Sequence, residues 1–448
     1  MNNYYKVLLS LCIFSILYSL FFIKIYRYPI LGDGRTYYAY GENLYKGNGY
    51  SWQVFPPFAQ SNLREPAYPF FVFLLFKMFG ASKEVIQIAQ AILNGLIVAA
   101  TYYLANLVFD NKKISLTAAF LTAISPTIAG YSALIASETL SVFYLMLASI
   151  SLLALLKERK SVGIIGFAIL AGLFYGCIVL TKMAYLLFFP LICLVLFIAL
   201  SSKSIKLKAV LCMVIIFIGI LLPWLSFNNR VYGNPFFLTN RSGVAFTVKA
   251  ERLNLTPKET LVSFIYPLSE GLVQRYFPRE YKKVTYNPED GSAFKAAYDK
   301  YDSLISRGYS EMAADKQLRI GALSKIRKHI LKYTILSMSD FHYMLYFEGL
   351  PLSQFTESFK RDTRFAINAF FKIYSLLIMF FAVKGIFIMF RKKENTVIKA
   401  AFLLPILYTL FMYSAIFGAP RFTFTVIPFI YILASVSIYE LIKTRMAL

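Results

Sequence analysis

The 448-residue sequence is poor in the residues that build metal sites and disulfide frameworks. Its four cysteines, Cys12, Cys177, Cys193 and Cys212, lie inside apolar segments and form no CxxC pair. That pattern supports neither a zinc site nor a disulfide scaffold. Two histidines, His329 and His342, make a His-based metal site unexpected. Charge is scarce as well. Asp, Glu, Lys and Arg make up 16% of the chain, against about 25% in an ordinary soluble domain. Acid is scarcer than base, with 23 Asp and Glu against 47 Lys and Arg, a net charge of +24. The basic residues form no single patch, so the surplus does not read as a nucleic-acid arm. No internal repeat or low-complexity segment is visible.

What is abundant is apolar and aromatic, at 58% and 17% of the residues. This composition excludes a disordered chain and an ordinary cytosolic enzyme, and fits a polytopic membrane protein. A span needs about 20 predominantly apolar residues, and about ten stretches qualify. They are expected near residues 5–26, 85–109, 114–134, 138–156, 163–180, 184–200, 209–227, 365–390, 397–417 and 422–441. The first lacks a small-residue cleavage site after it and is expected to be retained. The segment Pro66–Gly80 is apolar but too short to cross, and reads as a helix lying at the interface.

Orientation follows from the short loops. Lys112 and Lys113, then Lys157, Arg159 and Lys160, then Lys203, Lys206 and Lys208, and finally Arg391, Lys392, Lys393 and Lys399 share one side. Only Asp110, Glu158 and Glu394 oppose them. The positive-inside rule puts that side, and both termini, in the cytoplasm. The long segments 27–84 and 228–362 then face the periplasm or exterior, where no nucleotide pool exists. Three units are expected: 1–240, a transmembrane module with its first outer loop; 241–362, a mainly helical outer region; and 363–448, the last spans. Helical spacing from Tyr309 to Tyr346 suggests one long amphipathic helix, and Tyr286–Gly291 (YNPEDG) reads as a turn.

Ionisable residues at the membrane boundary are candidates for function, because burying a charge is costly. Asp33, in Gly32-Asp33-Gly34, reads either as a turn former or as a base for a hydroxyl proton. Glu138 opens the fourth span, where a helix dipole favours a carboxylate, with a second site carboxylate as the alternative reading. Arg64 and Glu65 precede the interfacial helix. Arg64 suits a lipid phosphate or a plain anchor. Lys182 and Arg421 stand on the outer side against the charge bias. Each fits a phosphate contact, with a snorkelling or anchoring side chain as the alternative. The aromatic run Tyr37, Tyr38, Tyr40, Tyr45, Tyr50 and Trp52 could stack on sugar rings or form an interfacial belt. Two carboxylates and three cations on one boundary suit a lipid-linked phosphate leaving group beside a base.

Six segments in order carry a family resemblance: GDGRTYYAYGENLYKGNGYS, LREPAYPFFVFLLFKMFG, SPTIAGYSALIASETLSVFYLML, GLFYGCIVLTKMAYLLFFP, LLPWLSFNNRVYGNPF and GAPRFTFTVIPFIYILA. With them the chain resembles the GT-C membrane glycosyltransferases, in particular protein O-mannosyltransferases and the lipid A aminoarabinose transferase (family 39-like). The resemblance implies an all-α polytopic GT-C fold and sugar transfer from a polyprenyl-phosphate donor outside the membrane. It places the family's acidic positions on Asp33 and Glu138, and donor phosphate binding on Arg64, Lys182 and Arg421. Tyr37, Tyr38, Trp52 and Glu65 are the candidate substrate contacts. The family's Asp-Glu pair is missing, since Gly34 follows Asp33. The two carboxylates leave open a shared divalent metal, to which the sequence does not commit. Donor sugar and acceptor (glycan, lipid, polymer or protein) are not specified. Two other readings stay open: a flippase or transporter of a lipid-linked sugar, disfavoured by the lack of repeated halves, and a polymerase or ligase of surface polysaccharide using a diphosphate-linked chain.

Overall fold

Apolar runs fold as helices in a membrane because a helix satisfies its own backbone where water is absent. The computed structural model describes residues 3–25, 29–30, 32–200, 203–239, 242–285, 291–347, 361–391 and 395–446, and these are all-helical with no strand. The chain is a multi-pass membrane protein. Among the described residues, eight helices are long and apolar enough to cross. They are α1 (Asn3–Ile25), α4 (Lys83–Phe109), α7 (Glu138–Lys157), α8 (Ser161–Thr181), most of α10 (Lys203–Tyr232), α18 (Arg361–Arg391) and α19 (Thr396–Ile416), then Pro420–Arg445, made of α20 (Pro420–Thr423), a 3-10 turn and α21 (Ile427–Met446).

The two remaining expected spans are present in broken form. The third divides into α5 (Lys112–Ala123) and α6 (Pro126–Tyr131), because Ser125 caps a new helix that Pro126 opens. The sixth is a 3-10 turn, Met183–Leu187, followed by α9 (Phe188–Ala199) after an extended Lys182. Two short helices cover the segment between the first two long spans. They are α2 (Asp33–Lys46) and the expected interfacial helix α3 (Ala67–Phe79).

Between α10 and α18 lies a helical unit: α11 (Ser242–Arg252), α12 (Pro257–Ile265), α13 (Glu270–Tyr276), α14 (Pro278–Val284), α15 (Ala293–Ser306), α16 (Glu311–Lys328) and α17 (Ile330–Met344). Its two cores gather Leu253, Val262, Tyr266 and Leu336, and Val244, Val248, Leu304 and Leu318. The single long helix expected from Tyr309 to Tyr346 is instead α16 and α17, broken at His329. The break lets α16 pack on α11 while α17 turns to pack on α19, which one straight helix would not allow. The expected turn at Tyr286–Gly291 lies outside the described residues except for Gly291.

The non-helical stretch after α6 needs partners for its carbonyls. Helix α4 supplies them from one face. Gln87 donates to the Ala133 carbonyl. Gln90 Nε2 donates to the Ser132 and Leu134 carbonyls at 3.0 and 2.7 Å. Asn94 extends the row into α6 itself, donating to Ile128 O at 2.9 Å and to Ser19 Oγ at 3.0 Å. All three side chains are buried. This amide ladder fixes the backbone that leads into Ser137 and Glu138. Replacing Gln90 with Leu should leave two buried carbonyls short of a donor, at about 1–3 kcal/mol for each unsatisfied group. Thermal unfolding in detergent should show a lowered midpoint for Gln90→Leu. An unchanged midpoint would mean that the ladder is not structural.

Candidate active site at the membrane boundary

The site is assembled from helix ends. Asp33 is the first residue of α2 and Glu138 the first of α7, so each carboxylate sits at the positive end of a helix dipole. Lys182 follows the last residue of α8, where a cation is favoured. Arg421 is the second residue of α20. The sequence of α2 explains its position. A Cβ on Gly34 would lie 3.0 Å from the Ile135 carbonyl oxygen. Any larger residue would press on the Ile135 backbone, so glycine lets the start of α2 settle against the stretch that the α4 ladder holds.

Arg64 arrives on a loop anchored by buried tyrosines. Tyr40 donates to Ser61 O at 3.0 Å and Tyr50 to Arg64 O at 2.9 Å. Asn62 adds a bond to Asn228 on α10. Arg64 is 5% exposed. It pairs with Asp33 Oδ1, donates to Thr36 Oγ1 at 2.8 Å, and lies 4.9 Å above the Tyr37 ring. Arg421 Nη1 approaches Asp33 Oδ2 more loosely, at 3.4 Å, and its side chain is 47% exposed. Lys182 Nζ lies 3.4 Å from Glu138 Oε1, both nearly buried. Arg421 also interacts electrostatically with Glu138, Tyr131 and Tyr37, which joins the two ion pairs into one cluster. The structure therefore brings together all five boundary charges singled out in the sequence.

Glu65 is half-buried and close enough to act electrostatically on Tyr37 and Tyr413. Counting Glu65, three carboxylates face three cations. The least committed is Arg421, with its long contact and exposed side chain.

The aromatic residues divide differently from the expectation. Tyr37 is buried, donates to Ser137 Oγ at 3.2 Å and carries Arg64 on its face. Burial pushes its phenol well above the usual range, with Arg64 opposing, so it stays a neutral donor. Its ring supports a cation and is closed to a sugar. Tyr40 and Tyr50 are likewise buried, stacked 4.3 Å apart. Tyr38 is half-buried against Phe76, while Tyr45 and Trp52 remain exposed. Sequence reasoning missed Thr36, Ser137, Tyr131 and Tyr413. Each lies beside a charge already noted, but no spacing rule connects them. Among the described residues no three His, Cys, Asp or Glu side chains gather to hold a metal ion. Asp33 and Glu138 each face a cation, a donor set that does not fit a shared divalent ion.

A bundle of spans with short helices and a charged cluster on one boundary defines a polytopic membrane protein with a boundary site. Residues 64–227 match the family model of dolichyl-phosphate-mannose-protein mannosyltransferases. No curated protein matches the chain. The oligosaccharyltransferase of Archaeoglobus fulgidus, in a complex with zinc and sulfate, is 15% identical with a TM-score of 0.57, over 98% of this chain and 49% of that one. The same organism's oligosaccharyltransferase AglB, with an inhibitory peptide and a dolichol-phosphate, is 16% identical with a TM-score of 0.55, over 99% and 51%. ArnT from Cupriavidus metallidurans, bound to undecaprenyl phosphate, is 11% identical with a TM-score of 0.43, over 95% and 78%. The chain thus spans about half the length of the archaeal enzyme. Its fold is the GT-C fold, in agreement with the fold that the sequence resemblance implies.

A Gly34→Val variant should push the start of α2 off Ile135, at about 1–3 kcal/mol for overpacking. Gly166, with open space around it, provides the control as Gly166→Ala. Unfolding midpoints in detergent should fall for the first variant and hold for the second. Equal midpoints would remove the packing role assigned to Gly34.

Proposed function

We propose that the protein is an integral membrane glycosyltransferase. In this reading it moves a sugar from a polyprenyl-phosphate donor to an acceptor hydroxyl on the outer face, with both termini cytoplasmic. The observation that carries it is the Asp33 carboxylate held between a buried Arg64 and an exposed Arg421. The GT-C fold supports it, as does the family model, whose members take their name from a dolichyl-phosphate sugar. The archaeal relative has been captured with dolichol-phosphate.

Arg64 fixes the Asp33 carboxylate through Oδ1, leaving the looser Oδ2 side to meet the acceptor. The acceptor hydroxyl oxygen attacks the anomeric carbon and gives its proton to Asp33. The bond from the anomeric carbon to the phosphate oxygen breaks, and the electron pair leaves with the lipid phosphate. Arg421 turns from Asp33 to that phosphate, and Arg64 and Lys182 add positive potential as charge develops. A single displacement inverts the anomeric centre. Glu138 holds Lys182 in place. Trp52, Tyr45 and Tyr38 are the residues of the aromatic run with surface left for a substrate, and Glu65 lies within reach of the same cluster. Which sugar and which acceptor are used is set elsewhere in the chain, and the helical unit of residues 242–344 is the candidate.

The test is transfer from polyprenyl-monophosphate sugars by detergent-purified protein. Asp33→Asn should lose about 10²–10⁴-fold in rate, the usual contribution of a required base, while unfolding like the wild type. Arg421→Ala should raise the donor KM more than the acceptor KM. NMR of the product should show the opposite anomer to the donor. Full activity in Asp33→Asn would remove Asp33 from the chemistry. Transfer confined to diphosphate-linked oligosaccharides would favour a ligase, and lipid-linked sugar crossing the bilayer without transfer would favour a flippase.

A further inference from the structure

Helix α19 ends at Ile416, and α20 begins at Pro420 with Arg421 in its first turn. The three residues between are extended at Phe417 and Ala419. Such a link would leave Arg421 free to swing, yet it is tied on both sides by the helical unit. The last carbonyls of a helix have no partner within it. Here Lys249 Nζ donates to Ser414 O at 2.9 Å and Tyr333 Oη to Ala415 O at 2.8 Å. Both carbonyls belong to the last turn of α19, where a cation also meets the negative end of the dipole. The Asp340 carboxylate accepts the Gly418 N–H at 3.4 Å. A Cβ on Gly418 would lie 2.7 Å from Asp340 Cβ, so the link passes α17 only as glycine. Beyond Arg421, Thr423 Oγ1 donates to Met344 O at 2.8 Å.

The charges that make these ties are buried to an unusual degree. Lys249 and Asp340 are 0% exposed and Arg252 is 3% exposed. Lys249 Nζ reaches Asp340 Oδ2 at 2.8 Å, and Arg252 pairs with Oδ1. Well-packed apolar replacements of such buried ion groups are often as stable or more so. Burial of three charges is therefore weak evidence for stability and better evidence for a set position.

We infer that Lys249, Asp340 and Tyr333 are positioning residues that fix the end of α19 and aim Arg421 at the Asp33 side of the site. The inference rests on the reading of Arg421 as the phosphate-binding side chain. It gives the helical unit a role in donor binding, although none of its residues joins the boundary cluster.

The test measures binding of sugar-free polyprenyl monophosphate to the full-length protein in detergent by native mass spectrometry. Lys249→Met keeps the Asp340–Arg252 pair and removes the bond to Ser414. It should weaken binding about 10-fold or more, since small misplacements of a positioned group cost up to about 10²-fold. Tyr333→Phe, which removes one hydroxyl, should weaken it about two- to fivefold, what a single hydrogen bond is worth, and carries the test if Lys249→Met does not fold. The discriminating variant is the double one. If Lys249 acts through Arg421, Lys249→Met with Arg421→Ala should bind no worse than Arg421→Ala alone, because coupled residues are not additive. A purely structural role would lower the folded fraction and leave the affinity of the remainder unchanged. Wild-type affinity in both Lys249→Met and Tyr333→Phe overturns the inference, and so do multiplicative losses in the double variant. Wild-type affinity in Arg421→Ala instead overturns the phosphate reading beneath it.

Discussion

The constraint on which the rest depends is that backbone polar groups inside a membrane protein must find partners within the protein. Continuous helices meet it at no extra cost, but they leave no place for a site. Chemistry needs breaks, and each break exposes carbonyls and amides that something must satisfy. In this chain the breaks and the charges of the candidate site coincide. Asp33 and Glu138 begin helices, Lys182 ends one, and Arg421 follows an extended link. The Gln87, Gln90 and Asn94 side chains satisfy the carbonyls of the stretch before Glu138. Lys249 and Tyr333 satisfy those before Arg421. The same economy places carboxylates at helix starts and a lysine at a helix end, where the dipoles favour them.

Charge balance then decides which group is available for a ligand. Arg64 is enclosed, with Asp33, Thr36 and Tyr37 around it, so it holds the Asp33 carboxylate in place. Lys182 is similarly committed to Glu138. Arg421 has a contact as long as that of Lys182, 3.4 Å, and by far the greatest exposure of the three. An anionic group entering the cluster meets it first and has the least to displace. A buried pair is costly to break, whereas an exposed contact of this length is worth little. In the mechanism proposed here, the asymmetry separates a cation that holds the carboxylate from one that is free to follow a phosphate.

Much of this was legible in the sequence, for identifiable reasons. Span positions follow from hydropathy, and the boundary charges were visible because charge is rare beside apolar runs. Pairing was not legible. Asp33 meets Arg64 across 31 positions, Lys182 meets Glu138 across 44, and Arg421 meets Asp33 across 388. No local rule spans such distances. Helix α2 was also hidden, since its polar residues and flanking glycines resemble a loop. Once it forms, helical spacing turns Tyr37 and Tyr40 inward, and residues read as a sugar platform become support for the Arg64 loop. The break at His329 escaped for a related reason. A periodic pattern reports which faces are apolar, not that the two halves pack against different neighbours.

Two kinds of ionic cluster in one chain clarify each other. Lys249, Arg252 and Asp340 are sealed from solvent and bonded to a helix end, a glycine N–H and one another. Nothing can enter without undoing several contacts at once, so such a group sets position. Asp33 and Arg421 are 39% and 47% exposed in their side chains and share one long contact. Solvent and solutes reach them, so they can exchange partners. The proposed reaction needs a site loose enough to let a cation move from carboxylate to phosphate, yet an arginine on an extended link would then lose its aim. Bonding the rigid cluster to the backbone just before Arg421 resolves the conflict. The backbone that carries Arg421 is held by charges that do not react, and only its side chain is left to move.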